Sequence, residues 1–209
     1  EIVNVAEWLN VCGANISGAG TSTITIEGTN GKLLSPKVPF KTIPDRIEAG
    51  SFLILAALCA KDVTIENCEP KHMGTLIDLL KSSGVNMEIG ANSIRVTNVV
   101  NSKPFKAFNI ETKEYPGFPT DLQAPAVVFL TQAEGESRVK ETIFEGRFKY
   151  TEDLIIMGAD ILMTNPREII IKGPSHLKEP ADDTELTAHD IRAGFAVVLA
   201  ALVGEGKFM

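Results

Sequence analysis

Asp121, Arg147, Asp190 and Arg192 are the residues of this chain whose types and positions suit chemistry. A carboxylate within hydrogen-bond reach of a hydroxyl can accept its proton while the oxygen forms a new bond. A guanidinium offers a planar fork that matches a carboxylate or a phosphate. Arg147 and Lys71 both precede helical patterns, where the positive end of the helix dipole already favours an anion. Each of these residues also has an ordinary reading. An aspartate at a helix start is a common N-cap, and an arginine is more often a solvated surface cation. Asp45, Asp121 and Asp190 all stand before apolar helical patterns, so all three read as caps as well as acids. Asp45 has Glu48 three residues later, a capping-box spacing that structure alone explains.

Other signals carry less. Ser17 to Thr21 holds a G-x-G, but an alternating strand follows it where a nucleotide loop needs a helix, so it reads as a hairpin turn. Gly204 to Lys207 resembles the end of a P-loop without its first glycine or the hydroxyl residue after lysine. His72, His176 and His189 lack metal-ligand spacing, and no metal site or cofactor is expected. Cys12, Cys59 and Cys68 are odd in number and form no C-x-x-C pair. A disulfide framework is therefore not expected, and a reducing cytoplasm fits best.

The elements that must position these residues recur along the chain. Asp45, Asp121 and Asp190 each run into an apolar stretch: SFLILAALCA, PAVVFLTQA and FAVVLAALV. A second helical pattern ends at Gly13, Gly84 and Gly158, each suited to a left-handed C-cap. The repeat is about 70 residues long, and the chain holds two whole copies and pieces of two more. Each copy starts with an apolar helix and continues into a half-buried strand, VTIENC or ESRVKETI. A second helix starts near Thr75 or Thr151, both suited to capping. A hairpin closes the unit: VNMEI with SIRV, ADILM with EIIIKG, ANISG with STITIEG. The order is β-α-β-α-β-β. The first helix of each unit is apolar nearly all round and should be buried. Repeats packed around shared buried helices, with sheets outside, are expected; a doubly wound sheet is not. Pro174 to Glu185 is polar and reads as a surface connection.

These residues resemble the enolpyruvyl transferase family. The strings that carry the resemblance are PDRIEAG (44–50), FPTDLQ (118–123), ETIFEGRF (141–148), MGAD (157–160) and DIRAG (190–194). They are similar to the branch that acts on UDP-N-acetylglucosamine. Gly146 stands where that branch usually has Asn, and Ile191 where it has Leu. The resemblance implies an inside-out α/β barrel, two such domains, and an active site in the cleft between them. It implies that residues 1–43 end one domain and that 44–209 form most of the second. It further implies transfer of the enolpyruvyl group of phosphoenolpyruvate to the sugar 3-hydroxyl, with loss of phosphate and no cofactor, in peptidoglycan synthesis. In that scheme Asp121 contacts the 3-hydroxyl and serves as base or positions the proton transfer. Arg192 holds the phosphoenolpyruvate carboxylate, and Asp190 lies beside the reacting carbons. Arg147 is near the phosphoenolpyruvate site. The backbone near Ile143 bonds the sugar nucleotide, and Phe144 lines its pocket; from sequence alone both end a strand as core residues. The family's Lys-Asn pair, its mobile loop with Cys or Asp, and a late Arg have no counterpart here. The chain is thus expected to be cut at both ends and inactive by itself. Rival readings are a shikimate 3-phosphate enzyme, an inactive paralogue that binds UDP-sugar, and a purely structural repeat protein.

The remaining bulk properties agree with this. Among 209 residues the hydrophobic fraction is 44%, enough for a normal core. A net charge of −7 argues against general nucleic-acid binding, which needs a basic surface, yet leaves room for a local anion site. The apolar run from Phe52 to Ala60 is too short to span a bilayer. Oligomeric state is not encoded in any pattern found.

Overall fold

The computed structural model describes residues 1–97, 104–181, 186–188 and 190–206. His189, Lys207 and the 182–185 part of the expected surface connection lie outside the described residues. The chain divides into two compact units, Glu1–Pro44 and Asp45–Met209.

The first unit holds α1 (Ile2–Val11) and the antiparallel pair β1 (Asn15–Ser17) and β2 (Thr25–Glu27). Its connecting segment folds back on the helix. The Trp8 indole N–H donates to the Val38 carbonyl at 3.1 Å, and its ring lies 5.3 Å from that of Phe40.

The second unit contains one β-α-β-α-β-β repeat in full. Strand β6 (Ile110–Glu111) leads through a 3₁₀ turn (Thr120–Leu122) into α4 (Gln123–Thr131). Then come β7 (Gly135–Lys140), α5 (Tyr150–Ile156), β8 (Asp160–Asn165) and β9 (Glu168–Gly173). The sheet order is β6-β7-β9-β8, with β6 and β7 parallel across the α4 crossover and the other pairs antiparallel. The preceding repeat gives α2 (Arg46–Cys59), β3 (Asp62–Glu66), a 3₁₀ turn (Pro70–Met73), α3 (Gly74–Ser83), β4 (Met87–Ile89) and β5 (Ser93–Thr97). Its sheet order is β3-β5-β4. Helix α6 (Ile191–Val203) opens the next repeat.

The first helices of the three repeats, α2, α4 and α6, pack on one another, and the sheets flank them. Every residue of α4 is buried, as its uncharged sequence QAPAVVFLT requires. Burial of each Val, Leu or Phe there contributes about 1.5–3 kcal/mol. Burial of α2 and α6 is one-sided, which departs from the all-round expectation: Phe52, Ile191, Val198 and Leu202 are exposed. All three helices touch one another; the most extensive helix pair is α4–α6, and α4 also lies along β9.

Two glycine features fix the spacing. Gly13, Gly84 and Gly158 share φ values of 106°, 103° and 104°, a left-handed conformation that ends the second helix of each repeat. Gly50 allows α2 to approach the 3₁₀ turn before α4: a Cβ there would meet Leu122 Cδ1 at 2.6 Å.

Candidate functional site

Asp121 does not cap a helix. Pro119 holds extended backbone and the chain then makes the 3₁₀ turn Thr120–Leu122, so α4 begins two residues beyond Asp121 and takes no side-chain cap from it. The carboxylate instead meets two cations from later elements. Arg147 Nη1 is 2.9 Å from Asp121 Oδ1, and Arg192 Nε is 3.8 Å from the same oxygen. Arg147 comes from the turn before α5 and Arg192 from the first turn of α6, so three elements converge on one carboxylate. Arg147 also lies over the Phe144 ring, 4.7 Å from its centroid, where the π-face favours a cation.

Asp190 does cap. It accepts from the Arg192 and Ala193 amides at 2.8 Å each, which seats Arg192 at the positive end of α6. Gly146, Arg147, Lys149, Tyr150, Asp190 and Ala193 line a pocket of about 260 Å³. Two arginines and Lys149 against Asp121 and Asp190 leave one surplus positive charge at the site, which suits an anionic ligand.

Beneath this site runs a buried polar string. Glu141 is 1% exposed. One of its oxygens accepts from the Thr112 hydroxyl at 2.9 Å and from the Ile143 and Phe144 amides at 2.8 and 3.1 Å. The other accepts from the Thr120 hydroxyl at 2.8 Å and the Gln123 side-chain amide at 3.0 Å. Gln123 in turn accepts from the Tyr150 phenol at 2.8 Å. Burial pushes the Tyr150 phenol well above the usual tyrosine range, and the Glu141 and Asp190 carboxylates push the same way. It therefore remains a donor.

A model of the family described as EPSP synthase (3-phosphoshikimate 1-carboxyvinyltransferase) matches residues 1–208. The chain belongs to this family of enolpyruvyl transferases. Its relatives include a UDP-N-acetylglucosamine 1-carboxyvinyltransferase of Koribacter versatilis, 43% identical over 207 residues, 99% of this chain and 45% of the relative. Another of the same name, from Halothermothrix orenii, is 44% identical over 209 residues, 99% of this chain and 47% of the relative. Among solved structures, the enolpyruvyl transferase NikO from Streptomyces tendae superposes with a TM-score of 0.81 at 26% identity, covering 97% of this chain and 46% of that one. This enolpyruvyl transferase chain thus spans about half the length of the curated relatives it matches. Its repeat architecture is that of the family fold, with the barrel incomplete.

Several positions of the enolpyruvyl transferase chain differ from the sequence-based expectations. Ile143 and Phe144 do not end a strand: β7 stops at Lys140, and both residues lie in the following turn. Phe144 is 51% exposed, so it is not a core residue. The partner strands end opposite Lys140, and Glu141 accepts from the amides at 143 and 144 in place of a ladder partner. Thr75 and Thr151 are not caps. They lie inside α3 and α5, and their hydroxyls donate to the Pro116 and Phe148 carbonyls at 2.7 Å each. Lys71 lies in the 3₁₀ turn before α3 and pairs with Glu69 at 3.5 Å. Glu141, Thr120, Gln123 and Tyr150 were not singled out from the sequence. One signal did exist: in β7 the buried positions alternate through Ser137 and Val139, and the next step falls on Glu141.

Proposed function

We propose that this chain forms part of an enzyme that transfers the enolpyruvyl group of phosphoenolpyruvate to the 3-hydroxyl of UDP-N-acetylglucosamine, with release of phosphate, in peptidoglycan synthesis. Residues 1–43 then end one enolpyruvyl transferase domain and 44–209 make up most of the second. The observation that carries the reading is the meeting of Asp121, Arg147 and Arg192 at one point, in a chain over 40% identical to relatives bearing that activity in their names.

The roles proposed are those that the family resemblance implies, and the convergence of these side chains supports them. The guanidiniums of Arg147 and Arg192 bind the carboxylate and phosphate of phosphoenolpyruvate, and charge-assisted bonds to such groups are the strong ones. As they turn to the substrate, Oδ1 of Asp121 is released to accept the proton of the sugar hydroxyl. The hydroxyl oxygen adds to C2 of phosphoenolpyruvate while its C3 takes a proton. Phosphate then leaves C2 of the tetrahedral adduct as a proton is lost from C3, which restores the carbon–carbon double bond in the enolpyruvyl ether. Asp190 lies beside the pocket that receives these atoms. Fixed cations stabilise the developing negative charge without a cofactor. Ile143 offers its backbone and Phe144 its exposed ring to the sugar nucleotide. A cytoplasmic enzyme fits a nucleotide-sugar substrate and the three free cysteines.

The test is phosphate release by the polypeptide carrying this chain, expressed at the length of its curated relatives. Phosphoenolpyruvate is supplied with either UDP-N-acetylglucosamine or shikimate 3-phosphate. Release with the UDP-sugar alone is expected. Release with shikimate 3-phosphate alone would sink the acceptor assignment, and release with neither would leave a binding protein.

A further inference from the structure

We propose that Glu141 is a positioning residue that sets both halves of the acceptor site from below. The inference rests on the reading that Asp121 and the 143–144 turn meet the acceptor. A carboxylate this deeply buried is costly unless its lone pairs are filled. Here five donors fill them. They are divided between the two oxygens in a way that divides the site.

One oxygen holds the sugar-nucleotide side. It takes the Ile143 and Phe144 amides together with Thr112, whose hydroxyl oxygen also accepts from the Thr142 amide at 2.8 Å. That arrangement bends the chain out of β7 and presents Phe144 to solvent, over which Arg147 stacks. The second oxygen holds the acid–base side. It takes Thr120, the residue before Asp121, and Gln123, the first residue of α4. Through Gln123 it also aligns Tyr150, which lines the pocket shared with Asp190. Glu141 itself does not reach that pocket, so its action passes through these groups.

The two oxygens can be tested apart. In Glu141→Gln one oxygen remains. The amide nitrogen cannot face two backbone N–H groups, so the oxygen stays with Ile143 and Phe144 and the nitrogen takes the Thr120–Gln123 side. Gln123 must then turn over, and Tyr150 loses its acceptor. In Glu141→Ala both sides are released. The full-length polypeptide is assayed with phosphoenolpyruvate and UDP-N-acetylglucosamine, and amide exchange at positions 143 and 144 is followed without substrate.

For Glu141→Gln, kcat should fall about tenfold while the KM for the UDP-sugar and exchange at 143–144 stay near wild type, since small displacements of a reacting group cost rate. For Glu141→Ala, exchange at both amides should also accelerate, and that KM should rise by about tenfold as well. A Gln variant with wild-type kcat would overturn the proposal. So would a folded Ala variant with wild-type KM and exchange. If the Ala variant does not fold, the Gln variant decides. Failure of the functional reading appears separately, as a wild-type enzyme that rejects the UDP-sugar; the kcat comparison is then made with the acceptor it does use.

Discussion

Asp45, Asp121 and Asp190 occupy one position in three copies of the same repeat, yet they do different work. Asp45 accepts from the Ile47 and Glu48 amides at 2.7 and 3.1 Å and is a cap. Asp190 is a cap that accepts from the Arg192 and Ala193 amides, and with Ala193 it also lines the pocket. Asp121 caps nothing and is held by two arginines. What separates them is one turn of backbone. After Pro119 the chain makes a 3₁₀ turn before entering α4, which moves the helix start to Gln123 and leaves the carboxylate with no amide to bind. A structural position becomes available for chemistry when a local change in winding relieves it of its capping duty.

Four substitutions would break or sharpen that comparison in the full-length polypeptide. The largest effect is expected for Asp121→Asn, which keeps the shape and removes the proposed proton acceptor. Phosphate release should fall by about 10²-fold or more, with little change in melting temperature because no cap is lost. A wild-type rate would end the case for Asp121 as base. Next comes Arg192→Ala. Loss of a charge-assisted contact to an anion is expected to lower kcat/KM for phosphoenolpyruvate by about 10–100-fold, and steady-state titration of that substrate reads it. Asp190→Ala should show a mixed effect: a lower rate together with a melting temperature down by about 2–4 °C, as for the loss of one cap in a domain of this size. A change in only one of the two would assign Asp190 wholly to chemistry or wholly to capping. The smallest effect on turnover is expected for Asp45→Ala, which should lower the melting temperature by about 2–4 °C and leave kcat and both KM values unchanged.

Much of this was readable in the residues because repetition exposes itself. The glycines at 13, 84 and 158 needed the left-handed conformation and have it. Alternation placed the hairpins β1–β2, β4–β5 and β8–β9. Asp121, Arg147 and Arg192 were marked as candidates, and the fold brings both arginines within ion-pair distance of Asp121. The winding after Pro119 was not readable, since a 3₁₀ turn and a first α-turn differ by one hydrogen-bond register and use the same residues. The end of β7 was missed for a different reason. ESRVKETI alternates through to Ile143, but the strand stops three residues earlier, where both neighbours run out at Lys140 (paired with Glu111 and with Glu168, the first residue of β9) and Glu141 takes the next amides. Thr75 and Thr151 looked like caps because threonine suits that place, but each hydroxyl found a carbonyl instead.

Gly50 makes the two repeats share a gauge. The missing side chain at that point of α2 is the clearance into which Leu122 fits, and Leu122 is 1% exposed and follows Asp121 directly. The width of that gap is therefore a tolerance on where the acidic residue stands, set by a residue from the neighbouring copy. A methyl at position 50 would act as a shim of about one carbon, pressing on Leu122 and through it on the turn that carries Asp121. Repeats of this kind are usually regarded as interchangeable modules, but at this seam they are machined to one another.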